Sequence, residues 1–171
     1  MVMLVGTNVL LDRCWVERRV CAKSWLKWPP PVGWLNFNVC GIELEDKVGC
    51  GRVLRDIEGI ARAIFLGVVN ANNVEEAEIG AVEIALEVFL VMNWKPKESL
   101  FIEIGSLVAF SWCANKVLRP WSRQSAFAEI EIAMLKVGNV IFSLACRKGN
   151  GMSFSLAIAG VNWTQMFKAW W

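Results

Sequence analysis

The six cysteines are the first candidates for chemistry, because a cysteine can bind a zinc ion or act as a nucleophile. They are Cys14, Cys21, Cys40, Cys50, Cys113 and Cys146, and no two have C-x-x-C spacing. The chain contains no histidine, which excludes Cys-His and Ser-His nucleophiles and histidine acid–base catalysis. Because zinc sites need paired cysteines or cysteine with histidine, no metal is expected at the thiols. Nothing indicates an oxidising compartment, so we expect reduced thiols in an intracellular protein.

Three consecutive prolines divide the chain. Pro29, Pro30 and Pro31 cannot continue a helix or a central strand, so they mark a stiff linker into a new domain. We predict an N-terminal extension at 1–27, a domain at 28–160 and a Trp-rich C-terminal tail at 161–171. No apolar run reaches the roughly 18 residues of a membrane span, so no membrane partner is expected.

Alternating apolar and polar residues after the linker predict three strands joined by short turns. The strands are expected at 34–39, 49–55 and 60–69, and such a meander predicts an antiparallel start to the sheet. Cys40 would end the first strand close to Cys50 at the start of the second. We expect both to remain thiols.

Helices and strands alternate in the rest of the chain. Asn72 or Asn73 can cap a long helix that reaches about Leu90. A buried strand follows at 100–104, then helices starting near Ser106 and Ser122, a strand at 140–146 and a helix at 153–159. The order β-β-β-α-β-α-α-β-α predicts an α/β domain with a five-stranded mixed sheet, its first three strands antiparallel, and helices on both faces.

Five short segments match, in order, the motifs of a known family. They are WPPPVGWLNFNVCG (28–41), GCGRVLRD (49–56), AEIGA (77–81), IEIGS (102–106) and RKGNGMSFSLA (147–157). With these motifs the chain resembles the plant ribonuclease H-like domains related to non-LTR retrotransposon polyproteins, over about residues 28–160. The resemblance implies the ribonuclease H-like fold, whose element order is the one predicted above.

The resemblance also implies where an active site would lie. Active members resemble two-metal nucleases, in which four carboxylates hold two Mg²⁺ ions. Position by position, those four acids correspond to Cys40, Glu78, Gly105 and Phe154 of this chain. Only Glu78 is a carboxylate, and a protonated thiol is a poor ligand for Mg²⁺. The resemblance therefore implies a degenerate site with no functional catalytic residue, no metal and no other cofactor.

Other acids could replace the missing ones. Glu43, Glu45 and Asp46 follow the first strand, but such loop residues lack a rigid support. Glu103 precedes Gly105 by two residues and so lies one pleat, roughly 7 Å, away. An active ribonuclease H that cleaves the RNA of RNA–DNA hybrids with Mg²⁺ remains the alternative function.

A group of basic and aromatic residues is compatible with contact to RNA or to an RNA–DNA hybrid. The basic members are Lys116, Arg119, Arg123, Arg147 and Lys148. Trp112 and Trp121 lie among the first three of them. Solubilisation of the surface explains the same charges equally well, since the net charge is only +2.

Ten tryptophans and a hydrophobic fraction of 56% suggest that some apolar surface is left for a partner. Trp163, Phe167, Trp170 and Trp171 have helical spacing and could form one interface stripe. The alternative is that this stripe docks onto the domain's own sheet. The preferred function is a non-catalytic domain that serves as a protein-interaction or structural module, either within a larger assembly or with a second copy as its partner. Nucleic-acid binding without cleavage is the further possibility.

Overall fold

The computed structural model describes residues 34–92, 99–146 and 149–171, which form six strands and four α-helices. In chain order these are β1 (Trp34–Leu44), β2 (Lys47–Arg55), β3 (Ala61–Val68), α1 (Val74–Val91), β4 (Ser99–Ile104), α2 (Leu107–Ala114), α3 (Gln124–Val137), β5 (Val140–Leu144), α4 (Gly151–Gly160) and β6 (Phe167–Trp170). Two 3₁₀ turns, Lys116–Leu118 and Trp121–Arg123, lie between α2 and α3. The predicted extension at 1–27, the prolines, Arg147 and Lys148 lie outside the described residues.

The predicted sheet is confirmed, with one strand more than expected. The strand order is β5-β4-β1-β2-β3-β6. β1, β2 and β3 form the antiparallel meander, and β4 and β5 run parallel to β1. The addition is β6, which pairs antiparallel with β3 at the sheet edge.

Side-chain alternation in β1 builds a core on each face of the sheet. Leu35, Phe37 and Val39 belong to the main core, together with buried residues of α1, α2 and α3. Cys40 and Ile42 belong to a smaller core with Ala157 and Val161, at the end of α4. Because successive residues of a strand point to opposite faces, one apolar strand supports both layers.

The two helices that begin beside the end of β4 are capped as predicted. Asn73 accepts the backbone N–H of Glu76 through its side chain at 2.9 Å, and α1 begins at Val74. Ser106 accepts the backbone N–H of Ala109 at 3.3 Å, and α2 begins at the next residue. Each cap satisfies one of the N–H groups that a helix start leaves unpaired.

Close contact with glycines fixes the position of α4. A Cβ atom at Gly51 would lie 2.1 Å from the carbonyl oxygen of Ser153, and one at Gly49 would lie 2.5 Å from that of Ala157. The helix presents small residues to the sheet, with Ser153, Ala157 and Gly160 buried. Backbone therefore lies almost directly on backbone, which sets where the first turn of α4 begins.

Cys40 and Cys50 lie on adjacent strands, as expected, but on opposite faces of the sheet. In the register of β1 and β2, Cys40 is opposite Gly51 and Cys50 is opposite Gly41. The thiols are therefore one position out of register, so their side chains point away from each other. Both cysteines are free, and this geometry does not permit a bridge between them.

The predicted helical stripe near the end of the chain is wrong. Phe167–Trp170 is a strand in which Phe167 and Ala169 are half-buried and Lys168 and Trp170 are exposed. The spacing of four residues fits the periodicity of a helix or of a strand. Here the edge of β3 supplies main-chain hydrogen bonds, which favour a strand. Trp163 and Phe167 still meet, with ring centroids 5.4 Å apart. The segment at 161–171 thus docks on the domain's own sheet, but as a strand.

Candidate functional site

Three of the four positions identified by sequence meet where the pairing of β1 with β4 ends. The last paired residues of these parallel strands are Val39 and Ile104, so Cys40 and Gly105 come immediately after them. Glu78, from the start of α1, reaches between the two chain segments. Its Oε1 accepts the backbone N–H of Gly41 at 3.0 Å, and its Oε2 accepts that of Ser106 at 2.7 Å. β1 itself continues four residues beyond Cys40, so Cys40 does not end the strand as predicted.

Gly105 marks the centre of this group. A Cβ atom at Gly105 would lie 2.8 Å from Oε1 of Glu78 and 3.1 Å from Nδ2 of Asn150. Asn150 is buried and donates a hydrogen bond from Nδ2 to the carbonyl oxygen of Val39 at 3.0 Å. Sequence reasoning did not place Asn150 here, although its position in the fifth motif, just before α4, was the available signal.

Phe154, the fourth position, lies one turn into α4. Its backbone N–H bonds to the carbonyl oxygen of Asn150 at 2.9 Å, so the two residues stack along the helix. The side chain of Phe154 is exposed, whereas Cys40 and Glu78 are buried. The structure thus gathers Cys40, Glu78 and Gly105, and leaves the side chain of Phe154 exposed on α4.

Burial controls the protonation of both titratable groups. Only 1% of the surface of Glu78 is exposed, and burial raises its pKa to about 7, although backbone donors, Gly41 first, act in the opposite direction. Burial likewise raises the pKa of the Cys40 thiol to about 12, with the nearby Glu78 carboxylate adding to the rise. At neutral pH, Cys40 is therefore a thiol, and Glu78 is protonated in a substantial fraction of molecules.

The residues present do not fit a pair of Mg²⁺ ions. Mg²⁺ requires oxygen ligands, and the four positions supply one thiol, one carboxyl group, one absent side chain and one phenyl ring. Each oxygen of the single carboxyl group already accepts a backbone N–H. In the described parts of the chain, no group of three Cys, Asp or Glu residues could hold a metal ion.

The acids that could replace the missing ligands lie elsewhere. Glu103 accepts side-chain hydrogen bonds from Asn36, at 2.9 Å, and from Asn38. Glu43, Glu45 and Asp46 are exposed at the far end of β1, three to six residues beyond Cys40, which is roughly 10–20 Å along a strand. The acid that does approach is Glu75, whose Oε1 accepts the Ser106 hydroxyl at 3.5 Å. Glu75 was not among the acids that the sequence suggested as replacements.

The three described basic candidates are all paired with acids. Lys116 lies 2.9 Å from Glu131, Arg119 also pairs with Glu131, and Arg123 pairs with Glu76. Because Lys116 and Arg119 share Glu131, the three cations are offset by two acids, and this group keeps one net positive charge.

Arg119 is the most deeply integrated of these residues. Its side chain is only 9% exposed, its Nε donates to the carbonyl oxygen of Trp112 at 2.9 Å, and its guanidinium group lies 4.4 Å from the ring centroid of Phe127. Such contacts are those of a structural arginine. Contact with nucleic acid by these residues stays a prediction.

Several large apolar side chains are exposed on the described surface. Trp121 is 92% exposed in the turn between α2 and α3, where Val117 is also exposed. Phe154 and Ile158 are exposed on α4, as are Trp170 and Trp171 beside the edge strand. Among the described helices, none is long and apolar enough to span a membrane.

Comparison with solved structures identifies the fold. No protein-family model matches the chain, and no curated protein sequence does. The structure is similar to LC11-RNase H1, isolated from compost by a metagenomic approach, with a TM-score of 0.69 and 17% identity over 77% of this chain and 97% of that one. It is also similar to RNase H1 of the halophilic archaeon Halobacterium salinarum, with a TM-score of 0.66 and 13% identity over 76% of this chain and 98% of that one.

A third similar structure is LC11-RNase H1 in complex with an RNA/DNA hybrid, with a TM-score of 0.66 and 18% identity over 75% of this chain and 96% of that one. At these identities the likeness establishes the fold alone. The described part of the chain therefore has the ribonuclease H-like fold.

Proposed function

We propose that this ribonuclease H-like domain does not cleave RNA and acts as a non-catalytic interaction module. The observation that carries the proposal is the state of Glu78, the single acid among the four positions. It is buried, and its two oxygens accept the backbone N–H groups of Gly41 and Ser106. Glu78 thereby ties β1 to the start of α2, and its role is structural.

The charge at the site supports the proposed loss of cleavage. Two Mg²⁺ ions bring four positive charges, which active two-metal sites offset with several carboxylates. Here one carboxyl group with a pKa near 7 would have to offset all four, beside a thiol that is not ionised. Glu75 is a second acid near the site, and its carboxylate accepts a hydrogen bond from the Ser106 hydroxyl.

The interaction role is supported by the surface of α4. From Gly149 to Phe167 the chain has no charged residue, although this segment includes an exposed helix. A surface helix of a soluble domain ordinarily carries charged residues on its outer side. Here Met152, Phe154 and Ile158 occupy that side, which is the composition of a surface that a protein partner covers.

A cleavage assay tests the proposal. Purified protein is incubated with a labelled RNA–DNA hybrid in Mg²⁺ or Mn²⁺, beside the Glu78→Ala variant and the matched surface variant Glu58→Ala. The proposal expects no cleavage above background from any of the three. Cleavage by the wild type and by Glu58→Ala that disappears in Glu78→Ala would overturn it.

Binding of nucleic acid without cleavage is a second candidate. It is supported by the similar domain solved with an RNA/DNA hybrid and by Trp121, an exposed ring on which a base could stack, close in sequence to the exposed Lys116. If the candidate is correct, hybrid binding should weaken steeply between 50 and 200 mM salt, and Trp121→Ala should reduce it. Binding that is absent, or unchanged in Trp121→Ala, would contradict this candidate.

A further inference from the structure

Arg52 is a fully buried cation without a counter-ion. Its exposed surface is 0%, and its Nε and Nη2 atoms have no hydrogen-bond partner. No carboxylate of the described residues forms an ion pair with it. Burial lowers its pKa. Cys50 could offset the charge only as a thiolate, and burial raises the pKa of that thiol. A buried charge of this kind is costly to the fold unless a partner compensates it.

The partner that Arg52 does have is a weak one. Nη1 lies 3.4 Å from the sulfur of Met166, and a thioether is a poor hydrogen-bond acceptor. Met166 immediately precedes β6 and lies beside Gly67 of β3, where a Cβ atom would be 2.9 Å from the Met166 Cα. The absence of a side chain at Gly67 therefore leaves space for Met166, whose side chain reaches Arg52.

The strand that supplies Met166 is held loosely. β6 contributes four register pairs with β3, from Leu66–Phe167 to Ala63–Trp170. Its Trp170 is 61% exposed, and Trp171 is also exposed. Edge strands of this length are readily replaced by another extended segment, because the main-chain hydrogen bonds are the same for any sequence.

We propose that the outer edge of β3 is a docking edge for an extended segment of a partner protein that carries glutamate at the position of Met166. In the free chain, β6 occupies this edge. The side chains of glutamate and methionine are similar in length, and glutamate has its carboxyl carbon where methionine has its sulfur. An incoming glutamate would therefore bring its oxygens to the unpaired guanidinium nitrogens of Arg52, forming charge-assisted hydrogen bonds.

This inference deepens the proposed interaction function, on which it rests, by naming an edge and the chemistry of the partner. The uncharged surface of α4 is not required for it. The site of Glu78 is not involved either, so the cleavage assay and the measurement of peptide binding fail or succeed separately.

Peptide binding tests the inference. The probes are three fluorescent eight-residue peptides with the sequence of residues 164–171, one unchanged and two with glutamate or glutamine at the third position. We expect the glutamate peptide to bind the full chain at least tenfold more tightly than the other two. In the Arg52→Met variant, with folding checked by circular dichroism, this preference should vanish.

The same pairing can be tested without a peptide. Met166→Glu in the full chain should raise the melting temperature above that of the isosteric control Met166→Gln, and should block binding of the glutamate peptide because the chain's own β6 now satisfies Arg52. Equal binding of all three peptides would overturn recognition of an acid and would indicate that the edge accepts the β6 of a second copy. Absence of binding by every peptide, or equal melting temperatures of the two Met166 variants, would also overturn the inference.

Discussion

Gly51 and Ser153 are in backbone contact: a Cβ atom on Gly51 would lie 2.1 Å from the carbonyl oxygen of Ser153 and 2.4 Å from the nitrogen of Ala157. Both obstacles are backbone atoms of α4, so no change of side-chain rotamer can relieve them. The first turn of α4 follows Asn150, so this contact also helps to position Asn150 beside Gly105.

The Gly51→Ala variant should be strongly destabilised. The added methyl group must push α4 away from β2, which separates the packed core of Cys40, Ile42, Ala157 and Val161. Overpacking of this kind costs about 1–3 kcal/mol or more, and the loss of core contacts adds to it. Urea unfolding of the wild type and the variant measures the difference. An unchanged midpoint would show that α4 does not lie on β2 as described.

Gly80→Ala is the matched control, and the expected change has the opposite sign. Gly80 is in α1, and a Cβ atom there would meet no atom within 4 Å. Alanine should therefore stabilise the helix by roughly 0.5–1 kcal/mol without any steric cost. The same urea titration measures it. A loss of stability in Gly80→Ala would mean that another group occupies that side of α1.

Stability should depend on pH through Glu78. Because its folded pKa, about 7, lies above its ordinary value of 4.5, folding is favoured while the group is protonated, and this contribution is lost as pH rises through 7. The free energy of unfolding should fall between about pH 5 and pH 8 by on the order of 3 kcal/mol. The pKa values of Asp56, Glu76 and Glu131 are lowered by their cationic partners, so these acids stay ionised throughout this range.

Denaturant titrations at several pH values check this expectation. Glu78→Gln should remove most of the slope, and the exposed control Glu58→Gln should retain it. A shallow slope should remain in Glu78→Gln, because burial also raises the pKa of Glu83. A wild-type protein whose stability is constant from pH 5 to pH 8 would contradict the assignment of Glu78 as the buried acid.

The elements that sequence predicted well are those whose signal is local. The alternation in β1, the turn residues of the meander and the caps Asn73 and Ser106 each lie within a few residues of the feature that they specify. The position of Gly105 beside Glu78 followed from the resemblance, because the matched motifs imply a fold in which these two positions are neighbours.

The features that sequence did not predict depend on distant partners. β6 is a strand because the edge of β3, a hundred residues earlier, is free to pair with it. Arg119 is a structural residue because Glu131 and Phe127 come from the next helix and meet it in the fold. Asn150 can lie beside Gly105 because Gly105 has no side chain to exclude it. None of these relationships leaves a periodic pattern in the chain.

We propose that the site does not hold divalent ions, because three of the four positions supply no oxygen ligand. Calorimetric titration with Mn²⁺ of the wild type and of the variant Cys40→Asp, Gly105→Asp and Phe154→Asp tests it most directly. An aspartate at 105 would displace the Glu78 carboxylate, whose oxygens would exchange the backbone N–H groups of Gly41 and Ser106 for an ion. We expect no site-specific binding by the wild type and binding of Mn²⁺ by the triple variant, abolished when Glu78→Ala is added. Binding of Mn²⁺ by the wild type that Glu78→Ala abolishes would contradict the account.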